Sequence, residues 1–212
     1  TRCSVVSWAR RWCIRDRGKS VFGEDASGVY GMSTLLKFLF ANGAGAVKAV
    51  AVGKDESEEK DYASAFAALS DEEDVGVMVC DSAAQSVHLL LKTAAEDASA
   101  ARRERIAVIG GSEETVAQMV NRAKAVNSER VVLVGPDIAS DDGGTMSAVF
   151  AAAAVAAVIA GNTDPSVPIN GAELTLFGAA GKRLSDNEID QLVRGGVTPI
   201  ETVGGVSSPV RG

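Results

Sequence analysis

The sequence predicts an α/β domain of three layers, with a mainly parallel sheet between two sets of helices. Short runs rich in valine and isoleucine, at residues 46–52, 75–80, 106–109 and 131–134, alternate with stretches of helical periodicity. Each intervening stretch is long enough for a right-handed crossover between parallel strands. Residues 131–134 are apolar without alternation, as in a strand covered on both faces.

The elements follow in order. Met32, Leu35, Leu36, Leu39 and Phe40 make the i, i+3, i+4, i+7, i+8 stripe of an amphipathic helix, ended by Asn42-Gly43. Residues 46–52 are the first strand. Asp55 and Glu58 form an N-cap pair for a helix that turns Tyr62, Ala65, Phe66 and Leu69 inward. The acidic run 71–74 reads as a solvated loop before the strand 75–80. Asp81 or Ser82 then caps a long helix with Val87, Leu90, Leu91, Ala94 and Ala98 on one side. Strand 106–109 precedes a helix packing Val116, Met119, Val120 and Ala123, and strand 131–134 follows. The apolar stretch 146–160, broken only by Ser147, reads as a buried helix. It is shorter than the roughly 20 residues a bilayer requires, and alanine gives little transfer energy. Ser185 and Glu188 are spaced as a capping box for a helix carrying Ile189, Leu192 and Val193, which Gly195-Gly196 stops. Residues 197–202 are extended, and Pro199, which cannot donate to a ladder, is expected to keep them off the sheet centre. The layered domain is expected over about 22–161, with the C-terminal segment packed on its edge.

At 212 residues the chain can bury one good core or a core plus a small appendage, and 46% hydrophobic with 23% charged residues is an ordinary globular balance. Aromatics are scarce at 5%, so the core is expected to be aliphatic. The net charge of −7 argues against nucleic acid as the main partner, because phosphate binding needs a basic face. Within residues 1–19, Arg2, Arg10, Arg11, Arg15, Arg17 and Lys19 stand against Asp16 alone, a local +5 that leaves the remainder at −12. A basic arm on an acidic body either docks on a neighbouring copy or is a solvated terminus. Trp8 and Trp12, four apart among arginines, fit a cation–π cluster or an amphipathic arm equally well. Cys3, Cys13 and Cys80 have no metal spacing and suit free thiols in a reducing compartment. No secretory signal is visible, but the chain opens on Thr1, so this decides nothing.

The strand ends are where an open parallel sheet would hold a ligand. Gly110-Gly111-Ser112 leads into a helix start that could hold a phosphate. It matches neither G-x-G-x-x-G nor a P-loop, and Glu113 and Glu114 would repel an anion, so a structural turn is the better reading. Asn42-Gly43-Ala44-Gly45 lies between helix and strand, the wrong order for a dinucleotide fingerprint. Asp81 and Asp137 stand where capping or turn aspartates are expected. The single histidine, His88, has no ligand-spaced partner and no nucleophile turn, and reads as a surface or partly buried helical residue. No residue is assigned a catalytic, cofactor-binding or metal-binding role, and no cofactor is called for. The alternative is a nucleotide- or small-molecule-binding α/β enzyme with Gly110, Gly111, Ser112 and Asp81 at its crevice.

Three segments carry a family resemblance. LSDNEIDQLVRGGVTPIE, residues 184–201, is a capped helix with a Gly-Val-x-Pro-hydrophobic exit. VFGEDASGVYGMSTLLKFLFANGAGAVKAVAVG, residues 21–53, has Phe-Gly, a helix ending in Phe-x-x-Asn-Gly, then a valine-rich strand. Between them Asn127-Ser128-Glu129-Arg130-Val131, the alanine-rich helix, Asp164-Pro165 and Pro168 keep a matching order. Over about two-thirds of its length the chain resembles the sheath proteins of contractile phage tails and related injection systems. The resemblance implies an α/β core of subtilisin-like topology without a protease triad. It implies a non-enzymatic structural subunit that polymerises as stacked hexameric rings around an inner tube, and contracts to drive that tube through a cell envelope. Terminal arms would add strands to an adjacent sheet. The implied partners are other copies of the chain, the inner tube protein, and baseplate and tail terminator proteins, with no nucleic acid and no membrane insertion. The implied place is the virion tail, assembled in the bacterial host cytoplasm. On this reading residues 1–20 are a basic N-terminal arm that matches nothing in the family, 21–203 are the core, and 204–212 begin a linker to a further C-terminal domain.

Overall fold

A computed structural model describes residues 2–7, 30–52, 58–140, 143–162, 167–181 and 183–210. Asp55 and most of the basic segment, with Trp8 and Trp12, lie outside the described residues, as do Asp164 and Pro165.

The chain runs β1 (Arg2–Ser7), α1 (Met32–Ala41), β2 (Lys48–Val52), α2 (Glu58–Ala68), β3 (Val77–Met78), α3 (Gln85–Ala100), β4 (Ile106–Gly110), α4 (Val116–Val126) and β5 (Val131–Gly135). It continues through β6 (Ile138–Ser140), β7 (Thr145–Met146), α5 (Ala148–Gly161), β8 (Gly178–Ala180), α6 (Asp186–Arg194), β9 (Val197–Val203) and β10 (Val206–Pro209). The main sheet has the order β10-β9-β5-β4-β3, parallel except for β10. β6, β7 and β8 form a small antiparallel sheet.

Alternation along the strands divides the core in two. Val79, Val108 and Val134 face α1 and α5, while Met78, Ala107, Ile109, Leu133 and Val197 face α2, α3, α4 and α6. The result is the expected three layers around a mainly parallel sheet. Helix α5 is buried from Ala148 to Ala157 and packs against α1, β4 and β5. Its alanines let it lie close to the sheet, and Gly110 extends that approach: a Cβ there would stand 2.2 Å from the Ala148 carbonyl.

Several expectations are corrected. Pro199 does not hold its strand off the sheet centre, because β9 lies between β5 and β10. Its pairing with β5 ends at Gly135↔Pro199 and its pairing with β10 starts at Ile200↔Pro209, so the missing N–H falls where one ladder gives way to the other. The C-terminal segment therefore completes the sheet, and residues 206–209, expected within a linker, form β10. Helix α3 begins later than its expected cap. Ala84 is the N-cap, and the Ser82 hydroxyl accepts the Ala84 amide at 3.1 Å. Its inward stripe is Val87, His88, Leu91, Ala95 and Ala98. In α1 the fully buried aromatic is Phe38, which packs edge-on against Phe177.

β1 pairs antiparallel with β2, from Arg2↔Val52 to Ser7↔Lys48, and also lies against β3. Lys48, at the start of β2, is ion-paired with Glu72 in the turn before β3. The starts of β2 and β3 thus share one edge of the molecule, and Ser7 ends β1 at that same edge.

Candidate functional site

The turns that follow β3, β4 and β5 hold most of the polar groups singled out from the sequence. After β4 the chain passes Gly110-Gly111 and enters the left-handed region at Glu113, whose φ is +54°. After β5 come Pro136, on a cis peptide bond, and Asp137. The Asp137 carboxylate joins these two turns to α5. It accepts the Glu113 amide at 2.6 Å and the Ala148 amide, the first of α5, at 2.8 Å. Burial, helped by Glu113 and Glu114, raises its pKa, and the two amides oppose that rise. Asp137 is therefore a cap delivered from a distance, serving a helix eleven positions on.

The glycine turn is not an open phosphate cradle. The Glu113 amide is taken by Asp137, and the Thr115 amide by Gln118 Oε1 at 2.9 Å. Thr115 and Gln118 form a capping box, a signal present in the sequence as Thr-x-x-Gln and not used there.

His88 is fully buried, against the expectation of an exposed or half-exposed ring. Its Nδ1 lies 3.0 Å from an Arg122 guanidinium nitrogen and its Nε2 lies 2.9 Å from the Ser82 carbonyl. Arginine only donates, so Nδ1 accepts and Nε2–H donates, which fixes the neutral tautomer. Burial lowers its pKa to about 4, the Ser82 bond opposing and Arg122 adding to the fall. Arg122 is held in turn by Glu114, from Nε at 2.8 Å. The Ser82 hydroxyl donates to Glu58 at 3.0 Å and not to His88, so no serine–histidine pair forms. Asp81 accepts the Tyr62 hydroxyl at 2.6 Å, and burial, then Asp81, raise the pKa of that phenol. Burial pushes the Cys80 thiol up to about 12, so it stays a protonated small hydrophobe. These contacts link α2, α3 and α4 by a continuous polar seam.

Beside this seam, with Glu114 common to both, an open cleft of about 590 Å³ lies between the start of α4, the first turns of α6 and the Pro136 turn. Val116, Met119, Pro136 and Leu184 give it an apolar lining, and Glu113, Glu188 and Asp137 line it with carboxylates. Among the described residues no group of three or more His, Cys, Asp or Glu is placed to hold a metal ion, and no helix is long and apolar enough to cross a membrane. The β9–β10 turn exposes Val203 (67%) and Val206 (46%), with Gly204 and Gly205 both at positive φ.

A mainly parallel sheet covered by helices on both faces defines an α/β domain. The chain belongs to the phage tail sheath protein central domain family, whose pattern it matches over residues 55–207. The fold is also that of solved sheath structures. It is similar to the helical sheath of the anti-feeding prophage in its contracted state, at 13% identity and a TM-score of 0.64, over 99% of this chain and 56% of that one. It is similar to the sheath tail protein of Desulfitobacterium hafniense, at 14% identity and a TM-score of 0.59, over 77% of this chain and 40% of that one. A chain of the anti-feeding prophage baseplate matches at 13% identity and a TM-score of 0.59, over 88% of this chain and 50% of that one. The chain thus spans about half the length of these relatives, or less. A comparison with curated protein sequences gives no match.

Proposed function

We propose that this domain is the body of a contractile tail sheath subunit, which polymerises around an inner tube and contracts to drive it through a cell envelope. The observation that carries this reading is the family match over residues 55–207. The likeness to a contracted helical sheath over nearly the whole chain supports it. The partners on this reading are other copies of the chain in hexameric rings, the inner tube, and the baseplate and tail terminator proteins, within a virion tail assembled in the host cytoplasm. Its work is mechanical and needs no catalytic residue, cofactor or metal. The basic N-terminal arm, residues 1–20, and the C-terminal end serve as connectors to the core. The pairing of β1 with β2 supports an arm that adds a strand to an adjacent sheet, in this chain or in a neighbour.

The test is negative-stain electron microscopy of the purified protein at rising concentration and salt. Rings or hollow helical tubes are the expected result. Full-length protein that stays monomeric throughout would overturn the reading and turn attention to ligand screening.

A further inference from the structure

We propose that the groove between α2 and α3 is a binding site for a small monocarboxylate carried on an aliphatic chain. The groove has a volume of about 350 Å³ and shares no lining residue with the cleft beside α6. It follows from the side chains that the two helices present. α2 turns Tyr62 and Phe66 into the core, and Ala63 and Ala67 stand one turn apart on its exposed side. α3 lines the other wall with Leu90, Ala94 and Ala98, again at helical spacing. Small side chains on both walls leave the space between the helices unfilled, as an apolar slot open to solvent. Its volume is at the lower end of the roughly 300–1,000 Å³ of small-molecule sites, and a stable protein interface needs a far wider surface.

Charge in the slot selects the ligand's head group. Arg103 and Arg105 line it beside Ser70, where the chain leaves α2. Arg105 is fully buried, and its two terminal nitrogens donate to the carbonyls of Leu69, Ser70 and Glu72. Its Nε has no hydrogen-bond partner among the described residues, and the buried Nε of Arg103 has none either. The carboxylates close by leave these cations poorly compensated. Asp71, 3.6 Å from Arg103, is almost wholly in water, and Glu72 is ion-paired with Lys48. Burial, then Arg103, lowers the pKa of Arg105 against the pull of Glu72, as where two like charges stand together out of water. Arginine only donates, so the group that satisfies both Nε–H donors is an acceptor, and an anion also offsets the charge. Asp97, exposed on the α3 wall, opposes a second negative charge, which favours a carboxylate over a phosphate. The aliphatic walls select the rest of the molecule.

The test is isothermal titration calorimetry of the full chain with sodium octanoate, kept below its micelle concentration. Saturable binding is expected. Acetate, which lacks the chain, and octanol, which lacks the charge, are each expected to bind at least ten-fold more weakly. Arg103→Met removes one cation from a half-exposed position, and Ala67→Leu fills the slot from an exposed one. Each is expected to weaken octanoate binding at least ten-fold while thermal unfolding stays close to that of the native chain. In an NMR spectrum of the arginine Nε–H groups, octanoate is expected to move the Arg103 and Arg105 signals. Three results would each overturn the proposal: no saturable heat, octanol binding as tightly as octanoate, or shifts confined to other arginines. Unchanged affinity in both folded variants would do the same. The comparison of octanoate with octanol is made on the native chain, so it decides the need for charge whether or not either variant folds.

Discussion

At the scale of single residues, two buried cationic or titratable side chains have defined costs. Arg105 is 1% exposed and donates to the carbonyls of Leu69, Ser70 and Glu72, closing the chain as it leaves α2. Arg105→Met would leave those carbonyls without their donor, and a loss of about 2–4 kcal/mol is expected in urea unfolding. His88 sets a pH dependence. Its folded pKa of about 4 lies below the ordinary 6.5, so between those values the unfolded chain binds a proton that the folded chain refuses. Stability is therefore full above pH 6.5 and falls as the pH drops toward 4, by at most about 3 kcal/mol. His88→Gln keeps a donor and an acceptor and does not titrate. Its unfolding free energy, compared with that of the native chain at pH 7 and pH 4.5, should show a smaller acid loss. A difference that does not change with pH would assign the acid sensitivity to the carboxylates instead.

At the scale of elements, the close approach of α5 to β4 rests on the absence of one methyl group. Gly110→Ala places a carbon 2.2 Å from backbone atoms of Ala148, which cannot rotate away, and a loss of at least about 2 kcal/mol is expected. Removing residues 204–212 strips β10 from β9 and frees the edge that carries Ile200. Thermal unfolding should move down by several degrees, where loss of a mere linker would leave it unchanged. This is also the scale at which the sequence was most and least readable. The helices and the strands β4 and β5 were legible because their apolar periods are unbroken and their ends carry glycine or capping pairs. β10 was not, since Val206 to Pro209 has two serines, a proline and flanking glycines, and gains its strand only from a partner across the turn. The site was legible in its parts alone. Asp137 was recognisable as a capping aspartate, but the helix it caps starts eleven positions later. His88 lacked any local partner because Arg122 comes from another helix, 34 positions on.

At the scale of the whole molecule, the Asp137 carboxylate has a mechanical meaning. One side chain holds both the turn that borders the cleft, through Glu113, and the first amide of the helix that fills the centre of the domain, through Ala148. A pull on the cleft rim is thus delivered to the axis of α5 within two hydrogen bonds, with no loop between to absorb it. Hydrogen exchange should show the Glu113 and Ala148 amides opening together in the native chain, and at separate rates after Asp137→Ala. On the proposed sheath reading, a domain riveted in this way would pass displacement on as a solid part.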